Sequence, residues 1–593
     1  MRLTNVAHLR LSFGRLLGYD VTVSEPGRPL PVSFDQRRHV AAGDREGSWM
    51  ALSVRLPEPV SREALADAWL GVVARHGTLR SVFLPGDDGP RLHEVEVGPG
   101  RWVEHPVAPG QAVNDALREV LDRACSPYAR PSHRMCVLET AAGSTLVIGS
   151  DHSHVDMWSM LVMVRDFLEL LASARDGAAG RGAEAPSLPD APPFADHTRA
   201  LQDRPAAPED VRRRWAEVLA ASGDVMPRFP LSLGAHALQP ERVEVRDVFD
   251  VDDSVAFSVQ AREDGVSTLT LAVAAMTAVT RELAGAPLRA VFPVHSRYDA
   301  TWHDSVGWFI TNSVIESKDP DPRACAAAVK EAIQLGSWPL EDVLRPWGGM
   351  PEAPEMFAIS WLDLRRLPVR VDTAALEAQY VGATIRTDGV MLWFILDESG
   401  LHLRCRYPDT PEARRHVGAW LDLLVARMQD AARTSVRGML RVGGQTFRVQ
   451  RATRADLPEV VALLSDDELG RAREVDEHAR YEAAYDVVAR DSAQHLAVVR
   501  DAADRIVGTM QLTVIPGLSR GGATRMQIEG LRVAADQRSR GLGTAMLGWA
   551  HDYGRARGAT LAQVATDEVR TRARAFYARL GYDTKDVGLK RPL

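Results

Sequence analysis

Apolar residues in the first third of the chain are spaced in two ways that predict secondary structure. Residues 49–56 alternate apolar and other side chains, as in a strand with one buried face. After two prolines, apolar residues recur every three or four positions from about Ser61, which predicts an amphipathic helix. The apolar positions are Met50, Leu52, Val54 and Leu56 in the strand, and Leu65, Ala68, Trp69, Val72 and Val73 in the helix.

A second strand and helix follow, and the turn between them is polar. Residues 144–149 predict the strand, and the helix carries its apolar residues at Leu161, Val164, Phe167, Leu168 and Leu171. The turn contains His152, His154 and Asp156. An imidazole at such a turn can face a cleft, while a carboxylate four residues later pairs with a basic group and holds the turn.

A third pattern lies near the C-terminus, where a strand-like run at 526–533 gives way to a helical run beyond 543. Between them lies a loop with glycines at 541 and 543. Backbone N–H groups at such a junction, together with the dipole of the following helix, can bind a pyrophosphate. Gly541 and Gly543 carry no Cβ atom that would block the approach of the phosphates.

Composition narrows the class of protein. A chain of 593 residues is too long for one hydrophobic core, and 45% hydrophobic with 25% charged residues is typical of globular domains. The net charge of −8 gives no reason to expect nucleic-acid binding. Since no secretory signal or apolar run of membrane-spanning length is present, we expect a cytoplasmic protein that does not contact the membrane.

The cysteines predict neither disulfides nor a metal site. They are widely separated and show no C-x-x-C spacing. We therefore expect reduced, buried thiols at Cys125, Cys136, Cys325 and Cys405.

The C-terminal pattern resembles the GNAT acetyltransferase superfamily over residues 445–593. The superfamily's Q/R-x-x-G-x-G/A loop is met by Arg538, Gly541 and Gly543. Its later F-Y-x-x-L-G segment is met by Phe576, Tyr577, Leu580 and Gly581. Arg570 stands where many relatives carry Asn, so the usual contact at that position is not carried over.

This resemblance implies acetyl-CoA, or another acyl-CoA, as the cofactor. An amine must lose a proton as it attacks the thioester, and the departing thiolate must gain one. Glu529 is the expected base, acting through a water, and Tyr577 the expected acid; the alternatives are a surface carboxylate and a packing aromatic. The expected cofactor-binding residues are Leu531, Val533, Arg538, Arg540, Gly541, Leu542, Gly543 and Thr544.

The first three quarters of the chain resembles the condensation domains of nonribosomal peptide synthetases. Their core motif is H-H-x-x-x-D-G, usually followed by W-S. Alignment on Trp158-Ser159 places Asp151 at the first His, His152 at the second and Asp156 at the Asp. Further agreement lies at Ser33, Gln36 and Arg38, at 75–83, at Trp215 and Leu219, and at 307–312.

This second resemblance implies that His152 takes a proton from the attacking amine or hydroxyl, or stabilises the tetrahedral intermediate. Arg80 is the expected partner of Asp156 in a structural salt bridge. The alternative is a degenerate site that only binds substrate. The motif's first His and its Gly, at Met157, are both replaced, and no D-F-G-W-G segment is present. Donor specificity is therefore not carried over.

Together the patterns predict an α/β (α+β) protein, with a two-lobed chloramphenicol-acetyltransferase-like condensation fold followed by a GNAT fold. The expected domains are 1–185 and 186–437 for the two lobes and 445–593 for the GNAT part. Because no adenylation-like or carrier-like segment follows the condensation-like part, a carrier-tethered substrate must come from a separate protein, which presents it on phosphopantetheine in trans.

We therefore expect a bifunctional acyltransferase of specialised metabolism, of the kind that makes nonribosomal peptides and antibiotics. The front part would join an acyl or aminoacyl thioester to an amine or alcohol, and the GNAT part would acetylate an amine. One alternative keeps the GNAT chemistry but makes the front part a non-catalytic scaffold that binds carrier or peptide. Another makes both parts an inert docking protein.

Overall fold

The computed structural model describes residues 2–56, 59–141, 143–178, 188–234, 237–433, 438–466, 471, 477–491 and 493–583. They form two compact units. The front unit comprises Met1–Asp250 and Gly265–Arg427, and the rear unit comprises Val251–Asp264 and Met428–Leu593. The boundary predicted between residues 185 and 186, and the end predicted at 437, lie outside the described residues.

The strands of the front unit are, in chain order, β1 (Arg2–Asn5), β2 (Arg15–Val23), β3 (Pro29–Leu30), β4 (Trp49–Arg55), β5 (Ser81–Leu84), β6 (Arg91–Glu94), β7 (Val97–His105), β8 (His133–Thr140), β9 (Gly143–Asp151), β10 (Gln239–Phe249), β11 (Leu288–His295), β12 (Ile310–Ser317), β13 (Phe357–Asp363), β14 (Gln379–Gly382), β15 (Arg386–Thr387), β16 (Val390–Asp397) and β17 (Gly400–Pro408). The strands of the rear unit are β18 (Met439–Val442), β19 (Gln445–Arg451), β20 (Gln494–Arg500), β21 (Ile506–Ile515), β22 (Thr524–Val533) and β23 (Ala559–Val564).

The helices are, in chain order, α1 (Phe34–Ala41), α2 (Arg62–Arg75), α3 (Val113–Ala124), α4 (Met157–Ala178), α5 (Phe194–Gln202), α6 (Glu209–Ala220), α7 (Val251–Glu263), α8 (Thr268–Ala284), α9 (Pro322–Leu335), α10 (Leu340–Val343), α11 (Pro411–Arg433), α12 (Leu457–Leu464), α13 (His478–Arg490), α14 (Ser519–Gly522), α15 (Leu542–Ala556) and α16 (Thr571–Arg579). Among the described residues, no helix combines the length and apolar character needed to cross a membrane.

The front unit is built on two seven-stranded mixed sheets. The first has the order β1-β14-β4-β9-β8-β2-β7, and the second has the order β12-β11-β13-β16-β17-β10-β15. Strand β14 comes from late in the sequence yet lies between β1 and β4, parallel to the former and antiparallel to the latter. This crossing joins the lobes, and the two sheets confirm the predicted two-lobed α/β fold.

Strand β4 is more deeply buried than its alternating pattern predicts. Leu52 and Val54 pack in a core with helices α2 and α4, while Trp49 and Ala51 pack in a second core with helix α3. Because helices cover both faces of this central strand, its side chains are buried on both sides. The helix predicted from Ser61 is confirmed, since the Ser61 side chain accepts a hydrogen bond from the backbone of Ala64 and caps α2.

The rear unit is a single six-stranded sheet with the order β18-β19-β20-β21-β22-β23. Strands β22 and β23 are parallel, and their pairing extends only as far as Ile528 and Val564. Helix α15 packs its buried residues Leu542, Met546, Leu547 and Ala550 in the core of this unit.

Helix α7 belongs to the rear unit although the chain on both sides of it belongs to the front unit. Its residue Asp252 accepts hydrogen bonds from the Nδ1 atom of His495 at 3.1 Å and from the Tyr553 hydroxyl at 3.2 Å, and it pairs with Arg557. Burial opposes the charge of Asp252, but His495 and Arg557 outweigh it and hold the pKa of this carboxyl well below its usual range. The segment that sequence analysis placed in the second lobe is thus bound into the GNAT-side unit.

We predict that Asp252→Ala destabilises the rear unit by about 3 kcal/mol, because the change removes a largely buried carboxylate that pairs with Arg557 and accepts hydrogen bonds from His495 and Tyr553. Since the pKa of Asp252 is depressed on folding, its contribution is present above the unfolded-state value of about 3.9 and is lost as pH falls below it. Hydrogen–deuterium exchange of peptides from β20 and α15 measures the effect. Glu263→Ala, at the exposed end of the same helix, is the control; equal exchange in the two variants would contradict the prediction.

Candidate functional site

The front site lies where a central strand of the first sheet ends. Strand β9 ends at Asp151 and helix α4 begins at Met157, so residues 152–156 form the turn between them. The Asp156 carboxylate accepts a hydrogen bond at 2.7 Å from the backbone of Ser159 and so caps α4. The predicted strand–turn–helix arrangement is therefore present around His152.

Asp156 is held by Arg297, which the sequence did not point to. The two side chains are buried, and Arg297 Nη1 lies 2.7 Å from Asp156 Oδ2. The backbone N–H of Phe309 donates to the same oxygen at 3.1 Å. Burial raises the pKa of Asp156, but the charge and hydrogen bonds of Arg297 outweigh it and lower the pKa. The turn is thus fixed to a segment of the second lobe.

The prediction that Arg80 pairs with Asp156 is wrong. Arg80 ends the 3₁₀ turn Gly77–Arg80, where its charge contributes to lowering the pKa of Glu94. Its Nε atom is buried and has no hydrogen-bond partner within the described part of the chain. Arg297 takes its place because the lobes bring together two residues 141 positions apart, a distance at which no spacing pattern is visible in sequence.

His152 is half-buried, and its ring packs on Trp308. The ring centroids are 4.4 Å apart with an interplanar angle of 31°. The backbone N–H of His152 donates to the carbonyl of Ser48 at 3.0 Å, while its Nδ1 atom is buried and has no partner among the described residues. Burial lowers the pKa of His152, so the imidazole is neutral near pH 7 and able to accept a proton.

A second imidazole, His39, stands beside His152 and was not predicted. Arg45 Nη2 donates to His39 Nδ1 at 2.9 Å, so that nitrogen carries no proton. The other nitrogen, Nε2, then donates to Asp151 at 3.3 Å. The His39 ring lies 6.2 Å from that of His152 and 5.2 Å from that of Trp308. In sequence, His39 directly follows Arg38 of the opening motif, and this position is the signal that could have pointed to it.

Asp151, which replaces the first His of the motif, is fully buried yet ionised. It accepts hydrogen bonds from the backbone N–H of Ser153 at 2.9 Å, from the Ser153 hydroxyl and from His39. Burial opposes the charge, but these contacts outweigh it and hold the pKa of Asp151 at about 2. Gln36 of the opening motif supports the same turn, because its amide donates to the carbonyl of Ser153 at 2.8 Å.

The rear site is built at the end of strand β22. Gly530 has a φ of +58°, and an irregularity in the pairing with β21 lies beside it. Beyond Ile528 no residue of β23 pairs with β22 in the described chain, so the backbone of residues 530–533 is open on that side. Gly541 then begins α15 with a φ of +96° and no side-chain cap.

These features fit an acyl-CoA. The uncapped first turn of α15 presents free N–H groups for a pyrophosphate, and the open edge of β22 can pair with the amides of a pantetheine arm. The structure places the predicted residues as follows: Leu531 and Val533 are half-buried on β22, Arg540, Gly541 and Thr544 are exposed at the start of α15, and Leu542 is buried.

Two of the predicted cofactor-binding residues have protein partners. Arg538 donates through Nε to the carbonyl of Val533 at 2.9 Å and pairs with Asp466 at 2.5 Å. A Cβ atom at Gly543 would lie 3.4 Å from the ring of Phe576, so this glycine also brings α15 close to α16.

The predicted acid and base lie on different elements. Glu529 is exposed on β22, opposite Gln511 of β21. Tyr577 is half-buried on α16, with ring centroids 5.3 Å from Phe576 and 5.5 Å from Tyr582. Burial raises the pKa of Tyr577, so the hydroxyl keeps its proton near pH 7.

Two protein-family models match the chain. Residues 30–334 match the model described as "Condensation domain", and residues 457–582 match the model described as "Acetyltransferase (GNAT) family". Acyltransferase PapA3 of Mycobacterium tuberculosis is 24% identical over 436 residues, which cover 69% of this chain and 90% of that protein. The probable non-canonical nonribosomal peptide synthetase CymA of Salinispora arenicola is 28% identical over 306 residues, which cover 49% of this chain and 4% of that protein.

Solved structures share the fold of the front unit. A structure described as PapA2 acyl transferase aligns with a TM-score of 0.63 and 20% identity, over 73% of this chain and all of that one. The first condensation domain of the calcium-dependent antibiotic synthetase aligns with a TM-score of 0.52 and 16% identity, over 69% of this chain and 97% of that one. The predicted fold class and both resemblances are confirmed. Because the condensation model spans more than half of its residues, the chain belongs to the condensation domain family, carries a C-terminal GNAT domain and is an acyltransferase.

Proposed function

We propose that the protein is a bifunctional acyltransferase of nonribosomal-peptide-like metabolism. The front unit forms an amide or ester from an acyl or aminoacyl thioester, and the rear unit transfers an acetyl or related acyl group to an amine. The carrying observation is His152, a neutral imidazole that rests on Trp308 in a turn fixed by the Asp156–Arg297 pair. A carrier protein supplied in trans is the proposed source of the front unit's thioester.

In the front reaction, a lone pair of the substrate's amine or hydroxyl attacks the thioester carbonyl carbon. His152 accepts the proton that this amine or hydroxyl loses. The carbon–sulfur bond of the resulting tetrahedral intermediate then breaks, and the proton on His152 passes to the thiolate. Trp308 fixes the plane of the imidazole. Atoms and charge balance without any further reactant.

Asp151 stabilises the imidazolium that forms on His152 during this reaction. The charge of Asp156 also acts on His152, but Asp156 is paired with Arg297. Arg45 donates to His39, which in turn donates to Asp151. His39 acts as a positioning residue: it donates to Asp151 and holds it as an ionised carboxylate beside the reacting imidazole.

In the rear unit, bound acyl-CoA supplies an activated thioester. The N–H groups at the start of α15 bind its pyrophosphate, and the open edge of β22 orients its pantetheine arm. Glu529 accepts the proton of the attacking amine through a water, and the Tyr577 hydroxyl holds the proton needed by the leaving sulfur.

A second candidate keeps the GNAT chemistry and makes the front unit a non-catalytic scaffold for a carrier or peptide. The replacement of the motif's first His by Asp151 favours this scaffold, because residues of a motif that no longer catalyses a reaction can be replaced.

We predict that His152→Ala lowers formation of the condensation product at least 100-fold, the scale of a lost general base, and leaves acetylation by the rear unit unchanged. Mass spectrometry of products from carrier-bound and CoA thioesters measures both reactions. His8→Ala, at an exposed histidine of the same unit, is the control. Unchanged condensation in His152→Ala would favour the scaffold.

The carboxylate at 151 leads to a pH prediction. Asp151→Asn removes negative charge beside His152, so the pKa of His152 falls and the acidic limb of the front reaction's pH–rate profile moves about one unit lower. His39→Gln keeps a donor for Asp151, and we expect a smaller shift. The rate of condensation measured from pH 5 to 9 provides the test, and an unmoved limb in Asp151→Asn would show that this residue only caps the turn.

For the rear unit, we predict that Gly541→Ala weakens CoA binding about tenfold. A Cβ atom at a φ of +96° is strained and would lie 3.2 Å from Val442 Cγ1. Gly548→Ala, where nothing lies within 4 Å, is the matched control. Titration calorimetry with CoA measures the affinity.

We predict that Tyr577→Phe lowers kcat of the rear unit and leaves CoA affinity unchanged. Parallel losses in kcat and in CoA affinity would contradict the assigned role of the hydroxyl.

A further inference from the structure

Arg404 and Arg406 lie on the same face of strand β17, and Arg404 lies against Gly382 of β14, a strand of the first sheet. Arg404 is 5% exposed, and its Nε and Nη2 atoms donate to no acceptor in the described chain. Arg406 also has a buried Nε atom without a partner there. Leu403 and Cys405 alternate with them and are buried on the opposite face.

The nearest carboxylate does not satisfy these groups. Glu241 Oε2 lies 3.8 Å from Arg406 Nη1, too far for a hydrogen bond, and it has no hydrogen-bond partner among the described residues. Its other oxygen accepts from the Asn5 amide at 3.1 Å. The guanidinium groups of Arg404 and Arg406 and the carboxylate of Glu241 therefore form a largely buried cluster with a net positive charge.

The free edge of Arg404 has the shape of an oxyanion site. Nε and Nη2 form one side of the planar guanidinium, and their two N–H bonds point in parallel. Arg62 uses the same two atoms to bind both oxygens of Glu139, at 2.9 and 2.8 Å. At Arg404 no carboxylate of the described residues accepts hydrogen bonds from that edge.

Arg404 remains charged at neutral pH. Burial and the charge of Arg406 lower its pKa to about 10, still well above 7. A buried charge without a partner costs folding free energy, and such groups in native proteins call for a ligand, an ion or a water.

The surroundings of Arg404 connect it to the first sheet and to the front site. A Cβ atom at Gly382 of β14 would lie 3.0 Å from Arg404 Nη1 and Nη2, so the glycine leaves the space that the guanidinium occupies. Both guanidinium groups lie over the ring of Trp393, at 4.9 and 5.1 Å from its centroid. Trp393 packs against the core that contains Tyr380, whose hydroxyl donates to the carbonyl of Met157 next to Asp156.

We infer that Arg404 and Arg406 form a binding subsite for an oxyanion, a carboxylate or a phosphate, carried by a substrate of the front unit. The assignment of the anion to a substrate rests on the proposed function, whereas anion binding itself does not. Trp393 packs beside the bound group, Arg406 adds positive charge, and the edge of Arg404 makes the two hydrogen bonds.

The first test measures binding by the full chain without any reaction. Sodium acetate and inorganic phosphate, against chloride at matched ionic strength, should raise the unfolding temperature of the front unit in the native protein. Arg404→Met should abolish that rise while leaving the ligand-free protein as stable or more stable, because an unpaired buried charge is removed. Arg404→Lys keeps the charge without the planar edge and should weaken the response; it also serves if the methionine variant fails to fold.

Arg242→Met is the matched control, since Arg242 is an exposed arginine of the neighbouring strand β10. The subsite would be overturned if the anions raised the unfolding temperature equally in native protein and Arg404→Met, or in neither. The N–H groups of Arg404 would then be hydrogen-bonded to water only.

The second test identifies the source of the anion. Condensation is measured with an acceptor bearing a free carboxylate against its primary amide, and with a phosphopantetheine thioester against the pantetheine thioester. In one of these pairs the native protein should show a KM about tenfold lower for the charged member, and Arg404→Met should abolish the difference. No difference in either pair overturns the assignment to a substrate. Arg404-dependent anion binding without any condensation product would sustain the subsite and contradict the proposed function.

Discussion

The buried pair of Asp156 and Arg297 is the interaction on which the front unit depends most. Its carboxylate caps helix α4, and its guanidinium comes from the segment just after β11. One contact therefore fixes the turn that carries His152 and joins it to the second lobe. A buried ion pair of this kind contributes little net stability, but removing either member leaves an uncompensated charge. The pair therefore acts mainly by specifying geometry.

Three buried or largely buried charged side chains of this chain differ in the partners they have. Asp156 is satisfied by one arginine and by backbone N–H groups, and Asp252 by a histidine, a tyrosine and an arginine. The Nε and Nη2 atoms of Arg404 have no hydrogen-bond partner in the described residues, and its guanidinium lies over an aromatic ring. The first two arrangements hold elements together, whereas the third has the donor geometry of a site that takes its partner from solution.

The replacement at Asp151 looks like a loss when the motif is viewed alone. In the folded protein it is accompanied by His39, so a histidine still stands beside His152, on a helix instead of within the turn. Asp151 occupies the position of the motif's first histidine, and the His39 imidazole donates a hydrogen bond to its carboxylate. The site thus has a second imidazole, and the charge of Asp151 opposes the lowering of the His152 pKa by burial.

Sequence by itself determined the fold class, the two families, the strand–turn–helix around His152 and the glycine loop before α15. Each of these is set by contacts between residues close in the chain, through apolar periodicity, caps and glycine conformations, and such patterns are legible in order along a sequence. Only the tertiary structure decided that Arg297 and not Arg80 binds Asp156, that His39 joins the site, and that α7 belongs to the rear unit. Those choices depend on which buried charges meet when distant segments pack, and a pairing across 141 residues or more leaves no periodic trace.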